Sequence, residues 1–368
     1  MVEPRLNIEL APASWIRFRA GAGRLAKTPA LASLAPSLQY YDLVNVNYFA
    51  NNPAERLAVL TTRIVDPTNP QLGFSRSDKL EAGFEATLAP GAEIAFSAFH
   101  ERISGGVGFV SEPTSFLREN FRIVDSTIGT GRPPDFDPTT FTTDTVPVLI
   151  QRPSNNLTLT SSGAELIATL PELPGTRTRA ALSTSYIKDR QTDDGIQYSR
   201  DFSDFQLSDH TPRSPYYIGS IGTGDRLLLT TRLIHQQPQA GLVITGTVQV
   251  TLRETQQNIG STDTLGFAGY LTRGGMLVPV PESDRGLPQY HDLRAPRGGF
   301  LIDPQKGPVD WLFSLQVAKT LPGEGRLSFY AFNAFDRVGN YGDQHIVPRL
   351  FQSARFGLEV TMPVVLWH

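Results

Sequence analysis

Six histidines, His100, His210, His235, His291, His345 and His368, are scattered without the short, regular spacing that brings imidazoles onto one metal. They read as ordinary surface histidines, and no metal site is expected. The stretch from Asp193 to Asp209 offers the carboxylates of Asp193, Asp194, Asp201, Asp204 and Asp209, enough oxygen for Ca²⁺, but not at the spacing of an EF-hand loop. It reads as a solvated loop. "GGVGFV" (Gly105 to Val110) and "GTGDR" (Gly222 to Arg226) are too short to cradle a phosphate and read as turns. Asn156-Leu157-Thr158 has the form of an N-glycan acceptor, which carries meaning only in a secreted eukaryotic chain. The chain has no Cys, so disulfides, thiolate metal sites and Cys nucleophiles are excluded together. No Ser/His/Asp grouping or carboxylate pair is brought together by spacing, so no catalysis and no cofactor are expected. One cluster suits recognition: "SLQYYDLVNVNYF" (Ser37 to Phe49) holds Tyr40, Tyr41, Tyr48 and Phe49, whose rings can stack on sugars or flat chelates. The same rings can equally pack a loop on itself.

Any such loop needs a scaffold, and the pattern of that scaffold is period two. In "KLEAGFEATLAPGAEIAFSAF" (Lys79 to Phe99), Leu80, Ala82, Phe84, Ala86 and Leu88 share one face while Lys79, Glu81, Glu85 and Thr87 share the other. After Pro90-Gly91 the alternation resumes as the second arm of a hairpin. Both arms are longer than the five or six residues usual for a strand. Helical periodicity is nearly absent, so the chain is expected to be all-β, with eleven candidate strands from Arg5 to Met362. Short Pro- or Gly-rich connections ("APGA", "PELPGT", "QQPQA", "PGE") alternate with long ones at about 21–77, 104–154, 188–225 and 254–308. In an antiparallel meander, all short turns then lie at one end of the sheet and all long loops at the other. Outer-membrane barrels have this asymmetry.

Composition agrees without deciding. A hydrophobic share of 40% and a net charge of -3 fit a soluble protein or a barrel with a polar lumen. No basic run supports nucleic acid as a partner. No segment approaches the roughly eighteen apolar residues of a membrane helix, and the start has no signal-peptide pattern. Leu242, Ile244, Val248 and Val250 lie opposite Thr245, Thr247, Gln249 and Thr251, and Phe356, Leu358 and Val360 lie opposite Arg355, Glu359 and Thr361. The apolar set suits lipid and the polar set a wet interior. Trp15, Trp311, Tyr186 and Tyr330 are candidates for interfacial aromatic girdles.

At this level several segments resemble the TonB-dependent outer-membrane receptors, in the C-terminal half of their barrel. "RAGAGRLAKTPAL" (Arg19 to Leu31) is similar to the family's strand end before a long loop, and "NPQLGFSRSDKLEAGFEA" (Asn69 to Ala86) to its Asn-Pro-x-Leu followed by a Glu-x-Gly-x-Glu strand. "SSGAELIATL" resembles a Gly-x-Glu strand opening, "FYAFNAFDRVGNY" (Phe329 to Tyr341) the penultimate strand's end, and "RFGLEVTM" the last strand. The resemblance implies a plugged barrel of about twenty-two strands that imports an iron chelate, cobalamin or a glycan, powered through the TonB system and embedded in outer-membrane lipid. Against that pattern, plug, energy-coupling box, signal peptide and first barrel half are missing, and eleven strands leave the first and last parallel. Residues 1–368 are therefore expected to be a fragment, a partial transmembrane β-barrel with long extracellular loops that depends on a missing N-terminal half. Two alternatives stand beside this. A soluble or surface-exposed β-rich binding protein would need a second layer over the apolar face, and a β-rich hydrolase would need a carboxylate pair or triad at strand ends.

Overall fold

A computed structural model of the chain describes residues 2–124, 128–198, 213–259, 267–294, 304–337 and 353–362. Sixteen strands are present among them: β1 (Arg5–Ala13), β2 (Ile16–Lys27), β3 (Gln39–Tyr48), β4 (Leu57–Val65), β5 (Ser75–Ala89), β6 (Ala92–Val124), β7 (Asp135–Thr169), β8 (Thr178–Tyr198), β9 (Arg213–Gln237), β10 (Leu242–Ile259), β11 (Gly269–Thr272), β12 (Leu277–Pro279), β13 (Gln305–Lys306), β14 (Asp310–Thr320), β15 (Arg326–Arg337) and β16 (Arg355–Thr361). Eleven of them form one path in chain order, β1-β2-β5-β6-β7-β8-β9-β10-β14-β15-β16, and every neighbouring pair is antiparallel. These are the eleven expected from alternation. β1 and β16 are the two ends of the path and run in the same direction.

The short turns use glycine where the backbone demands it. Gly91, Gly175, Gly241 and Gly323 each have φ between +59° and +82°, a region that side chains with a Cβ rarely adopt. All four sit at the same end of the meander, opposite the long connections.

Among the described residues those long connections are largely strand and not open loop, which corrects the sequence reading. β6 has 33 residues and β7 has 35, and they stay paired from Glu93↔Thr169 up to Val124↔Asp135, through most of the expected loop 104–154. β8, β9 and β10 likewise continue into the regions read as loops. The signal was hidden by bulges: between Ile103 and Gly108 the register slips twice, and each slip exchanges the two faces of the strand. "GGVGFV" and "GTGDR" therefore lie inside β6 and β9 and are not turns. The hairpin β3–β4 and the short strands β11, β12 and β13 were not expected at all.

Apart from the sheet alanines Ala86, Ala318 and Ala331, the buried core is in the loop layer. Leu43 and Val46 of β3 and Val148 and Ile150 of β7 are buried where the β3–β4 hairpin covers the β6–β7 ribbon. A second cluster, Tyr217, Phe267, Val280 and Leu293, is closed by Tyr270 and Tyr290 above β9. The long sheet below has one layer. Leu6 and Ile8 on β1, Leu80 on β5 and Phe356 and Leu358 on β16 are all exposed. No helix among the described residues is long and apolar enough to cross a membrane, which says nothing about strands.

Candidate functional site

The register decides which side chains share a face, because directly paired residues in antiparallel strands point the same way. Through the middle of the sheet one row runs Phe18, Phe84, Phe96, Leu166 and on to Leu229, Val250 and Trp311. Phe84 packs against Phe18 and Phe96 with ring centroids 6.2 and 5.8 Å away. The same face continues to Val317, Phe329 and Leu358 at the far edge. It is a mainly apolar surface across all eleven strands, with Thr184 between Leu166 and Leu229 and with His100 and Ser162 beside Leu80. On β5 it extends from Leu80 to Leu88, eight residue steps or about 27 Å along the strand. At the ~40° tilt of membrane strands that is roughly 21 Å of height, close to the ~25 Å apolar band of outer-membrane barrels.

The opposite face is polar. Glu9 lies 3.2 Å from Arg17 and 3.4 Å from Arg19, and Arg19 reaches Glu85 at 2.9 Å. Glycines keep this face low near the first strands. A Cβ on Gly163 would sit 2.6 Å from the Phe99 ring and 2.7 Å from the Tyr186 carbonyl. Phe99 thus fills the space above Gly163, and Lys79 stands over its other side at 5.7 Å. Tyr330 belongs to this polar face, where its hydroxyl donates to Glu359, so the girdle position expected for it does not hold. Trp311 and Tyr186 do lie on the apolar face, and Trp15 is exposed at the β1–β2 turn.

The four recognition candidates sit on or just beyond β3 and do not form one surface. Tyr41 is an anchor: its hydroxyl donates to the Leu149 carbonyl (2.9 Å), and its ring meets Phe116 at 5.6 Å. Burial pushes its phenol above the ordinary value. Tyr48 is half-buried. Tyr40 is 63% exposed and shares the outward side of the hairpin with exposed Val44, Leu60 and Ile64. Phe49 is 72% exposed, with the Arg56 guanidinium 4.5 Å above its ring. Tyr40 and Phe49 are the two left open to a ligand.

Side-chain amides hold this hairpin in place. Asn45 donates to the Glu119 carbonyl (2.7 Å) and accepts from Thr61 (2.7 Å); Gln39 donates to the Gln151 carbonyl (2.6 Å). Below it, Asn69 of the Asn-Pro-x-Leu segment accepts from the Gln71 amide (2.9 Å) and donates to the Pro153 carbonyl (2.8 Å). Asn155 accepts from Gly73 and donates to the Gly73 and Gly105 carbonyls. In the neighbouring loop layer Arg213 is held between Tyr270 and Tyr290, 5.1 and 5.5 Å from their centroids, and pairs with Asp292 at 2.6 Å. The guanidinium holds the Asp292 carboxyl below the usual range.

The other candidates are dispersed. His100 Nδ1 lies 2.8 Å from Ser162 Oγ, and His235 Nδ1 lies 3.0 Å from Thr178. The His100–Ser162 pair stands on an open sheet face, and only cross-strand register could have revealed it. His291 is exposed near the end of a 3₁₀ turn. Asp193 accepts from Asn156 (2.6 Å) and from the Gly195 amide (2.8 Å), so Asn156 is a buried structural residue. His210, His345, His368, Asp201, Asp204 and Asp209 lie outside the described residues. Among the described residues no group of three or more His, Asp or Glu could hold a metal ion. No protein-family model, curated protein or solved structure matches the chain.

Proposed function

We propose that the chain is part of the wall of a TonB-dependent outer-membrane receptor, whose intact form imports a scarce nutrient through a plugged barrel. The observation that carries this reading is the apolar face, continuous over eleven antiparallel strands, close to a membrane's apolar thickness in height and uncovered by any described residue. In water, so large an exposed apolar surface is a liability; against lipid it is the expected exterior. The wet face with its crossed ion pairs becomes the lumen side. The loop layer, with its own core, becomes the extracellular side, where Tyr40 and Phe49 are placed to meet an iron chelate, cobalamin or a glycan. Strands from outside this chain, together with a plug, complete the wall and couple it to TonB. The protein in this reading binds and passes its ligand and breaks no covalent bond. A soluble binding protein would instead need a second layer over Phe84 and its row.

The absence of native Cys makes the test direct. Single cysteines at Ala98 (apolar face) and Ser97 (polar face) are labelled with a polarity-sensitive dye after refolding the full chain with phosphatidylcholine vesicles. Blue-shifted emission quenched by brominated acyl chains at position 98 but not 97 is expected. Equal, water-like emission at both positions would overturn the membrane reading.

A further inference from the structure

At the loop-end border of the apolar band, on the same face and overlapping its last rows, the register assembles a cationic belt. One row runs Arg24, Asp78, Arg102, Thr160 and Arg190 across β2, β5, β6, β7 and β8. Arg76, two residues along β5, shares this side, and Asp78 lies within electrostatic reach of Arg24, Arg76 and Arg102 together. The row beneath contributes Lys188, Asp225 and Thr255 and reaches Lys306 on β13. Arg253 sits one step lower, paired to Asp225 at 2.8 Å. In total, seven exposed cations face two carboxylates. Asp78 is occupied by Arg24 at 2.5 Å and Asp225 by Arg253, and among the described residues Arg76, Arg102, Lys188, Arg190 and Lys306 have no carboxylate at ion-pair distance.

Nothing in strand pairing requires this. Adjacent strands are about 4.8 Å apart, so Arg102 and Arg190, separated by Thr160, stand about 10 Å from each other on a flat face. Like charges gathered there repel and are held only by the backbone ladder. Apart from Asp78 and Asp225, the acids of these strands lie on the other face, Glu9, Glu81, Glu85 and Glu165 among them. The belt also has a definite height: its lower row is that of Leu80, which continues through His100 and Ser162 to Lys188 and Asp225, and the row of Tyr186 lies one step below. A basic cluster immediately outside a membrane-crossing segment is the pattern that attracts anionic head groups. Arginine adds planar, bidentate hydrogen bonding to phosphate oxygens.

We infer that this belt binds the phosphorylated head groups of the lipid leaflet at the loop end, with Arg24, Arg76 and Arg102 as one phosphate site and Lys188 and Arg190 as a second. The inference rests on the membrane reading above. The occupant is a lipid, because the cations are continuous with the apolar band and a single molecule can place its acyl chains on Phe84 and its phosphate on Arg102. Binding is electrostatic and sets how firmly, and in which lipid, the wall is held.

The test uses the full chain refolded with vesicles of phosphatidylcholine alone, of phosphatidylcholine with bisphosphorylated lipid A, and of phosphatidylcholine with dephosphorylated lipid A. Insertion is read by flotation. Wild type is expected to partition about tenfold or more in favour of the phosphorylated vesicles at low salt, and Arg76→Gln/Arg102→Gln/Arg190→Gln to lose most of that preference. The control Arg17→Gln/Arg179→Gln/Arg232→Gln removes equal charge from the polar face and should retain it. Insertion without a preference for phosphorylated lipid, or a preference equally reduced in both variants, overturns the inference and leaves the membrane reading intact. If millimolar inorganic phosphate abolishes the preference while sodium chloride at the same ionic strength does not, the belt is a site for free phosphate and the lipid assignment fails. Failure to float with any vesicle overturns the membrane reading and the inference with it.

Discussion

Replacing Phe84 by arginine puts the membrane reading under the heaviest load. Phe84 is the midpoint of the Leu80–Leu88 segment, four residues from either end, about 13 Å along the strand from each border of the apolar band. Its ring touches Phe18 and Phe96, contacts of about 0.5–1.5 kcal/mol each beyond simple burial. Phe84→Ala removes those contacts and leaves the face apolar. Phe84→Arg removes them and adds a charge at mid-depth, which costs about 2–4 kcal/mol in an outer-membrane-type barrel. The difference between the two variants, not either value alone, isolates lipid from packing. It corresponds to roughly 30- to 1000-fold in the folded ratio. Urea unfolding of the vesicle-inserted chain, followed by tryptophan emission, measures it, with Glu85→Arg as the control one residue along on the polar face. Glu85 loses an exposed ion pair with Arg19, worth about 0–1 kcal/mol. If Phe84→Arg is no more destabilising than Phe84→Ala, the row through Phe84 faces water or protein, and the argument from the apolar face collapses.

Three further outcomes follow from packing and charge. Gly163→Ala forces a methyl into the Phe99 ring and the Tyr186 carbonyl and is expected to cost about 1–3 kcal/mol, whereas Gly222→Ala, with open space around it, should cost less than half as much in the same unfolding experiment. Asn45→Ala leaves the Glu119 carbonyl and Thr61 hydroxyl without their partner, at about 1–3 kcal/mol; proteolysis should then cut the β3–β4 hairpin well before the sheet, and equal cutting rates would contradict the docking described. At the tip of the β6–β7 ribbon, bonds from Thr139 and Thr140 lower the Asp137 carboxyl from 3.8 to about 2. A depressed carboxyl stabilises above its unfolded value and loses that contribution as pH falls through the folded one. Amide exchange at Thr139, corrected for its intrinsic pH dependence, should therefore stay protected down to about pH 4 and lose protection toward pH 2. Protection unchanged across that window would refute the assignment.

How much of this was legible in the sequence depended on whether alternation stayed in phase. From Lys79 to Phe99 the apolar residues keep one face without interruption, and the hairpin and its two sides were readable. At Gly105 to Gly108 the register slips, the apolar residues exchange sides, and a continuing ribbon looks like a loop. Tyr330 was misplaced for a related reason. Near a strand end its neighbours Phe329 and Phe332 are both aromatic, and only pairing with Gly357 and Gln316 fixes its side. Asn333 shows what a motif residue can be doing: it has φ of +49° at the bulge of β15, a conformation that asparagine tolerates better than most residues. The recognition aromatics were visible as a cluster, but β3 splits neighbours Tyr40 and Tyr41 to opposite sides by the simple rule of the pleat. The cationic belt was invisible because its cross-strand neighbours lie 24 to 58 residues apart and meet only through register.

The shared direction of β1 and β16 restricts what can stand between them. Rotating a second copy by half a turn about the sheet's long axis brings its β1 beside β16, and both such seams are parallel. Parallel pairs bond through slanted, slightly weaker ladders. A wall with antiparallel seams on both sides must instead be closed by a body with an odd number of strands, so that its first and last both run against these edges. A second copy has an odd count too, but it runs against both edges only when turned end over end, which puts its loop layer at the opposite end of the wall; direction and loop placement together select a different body to complete it.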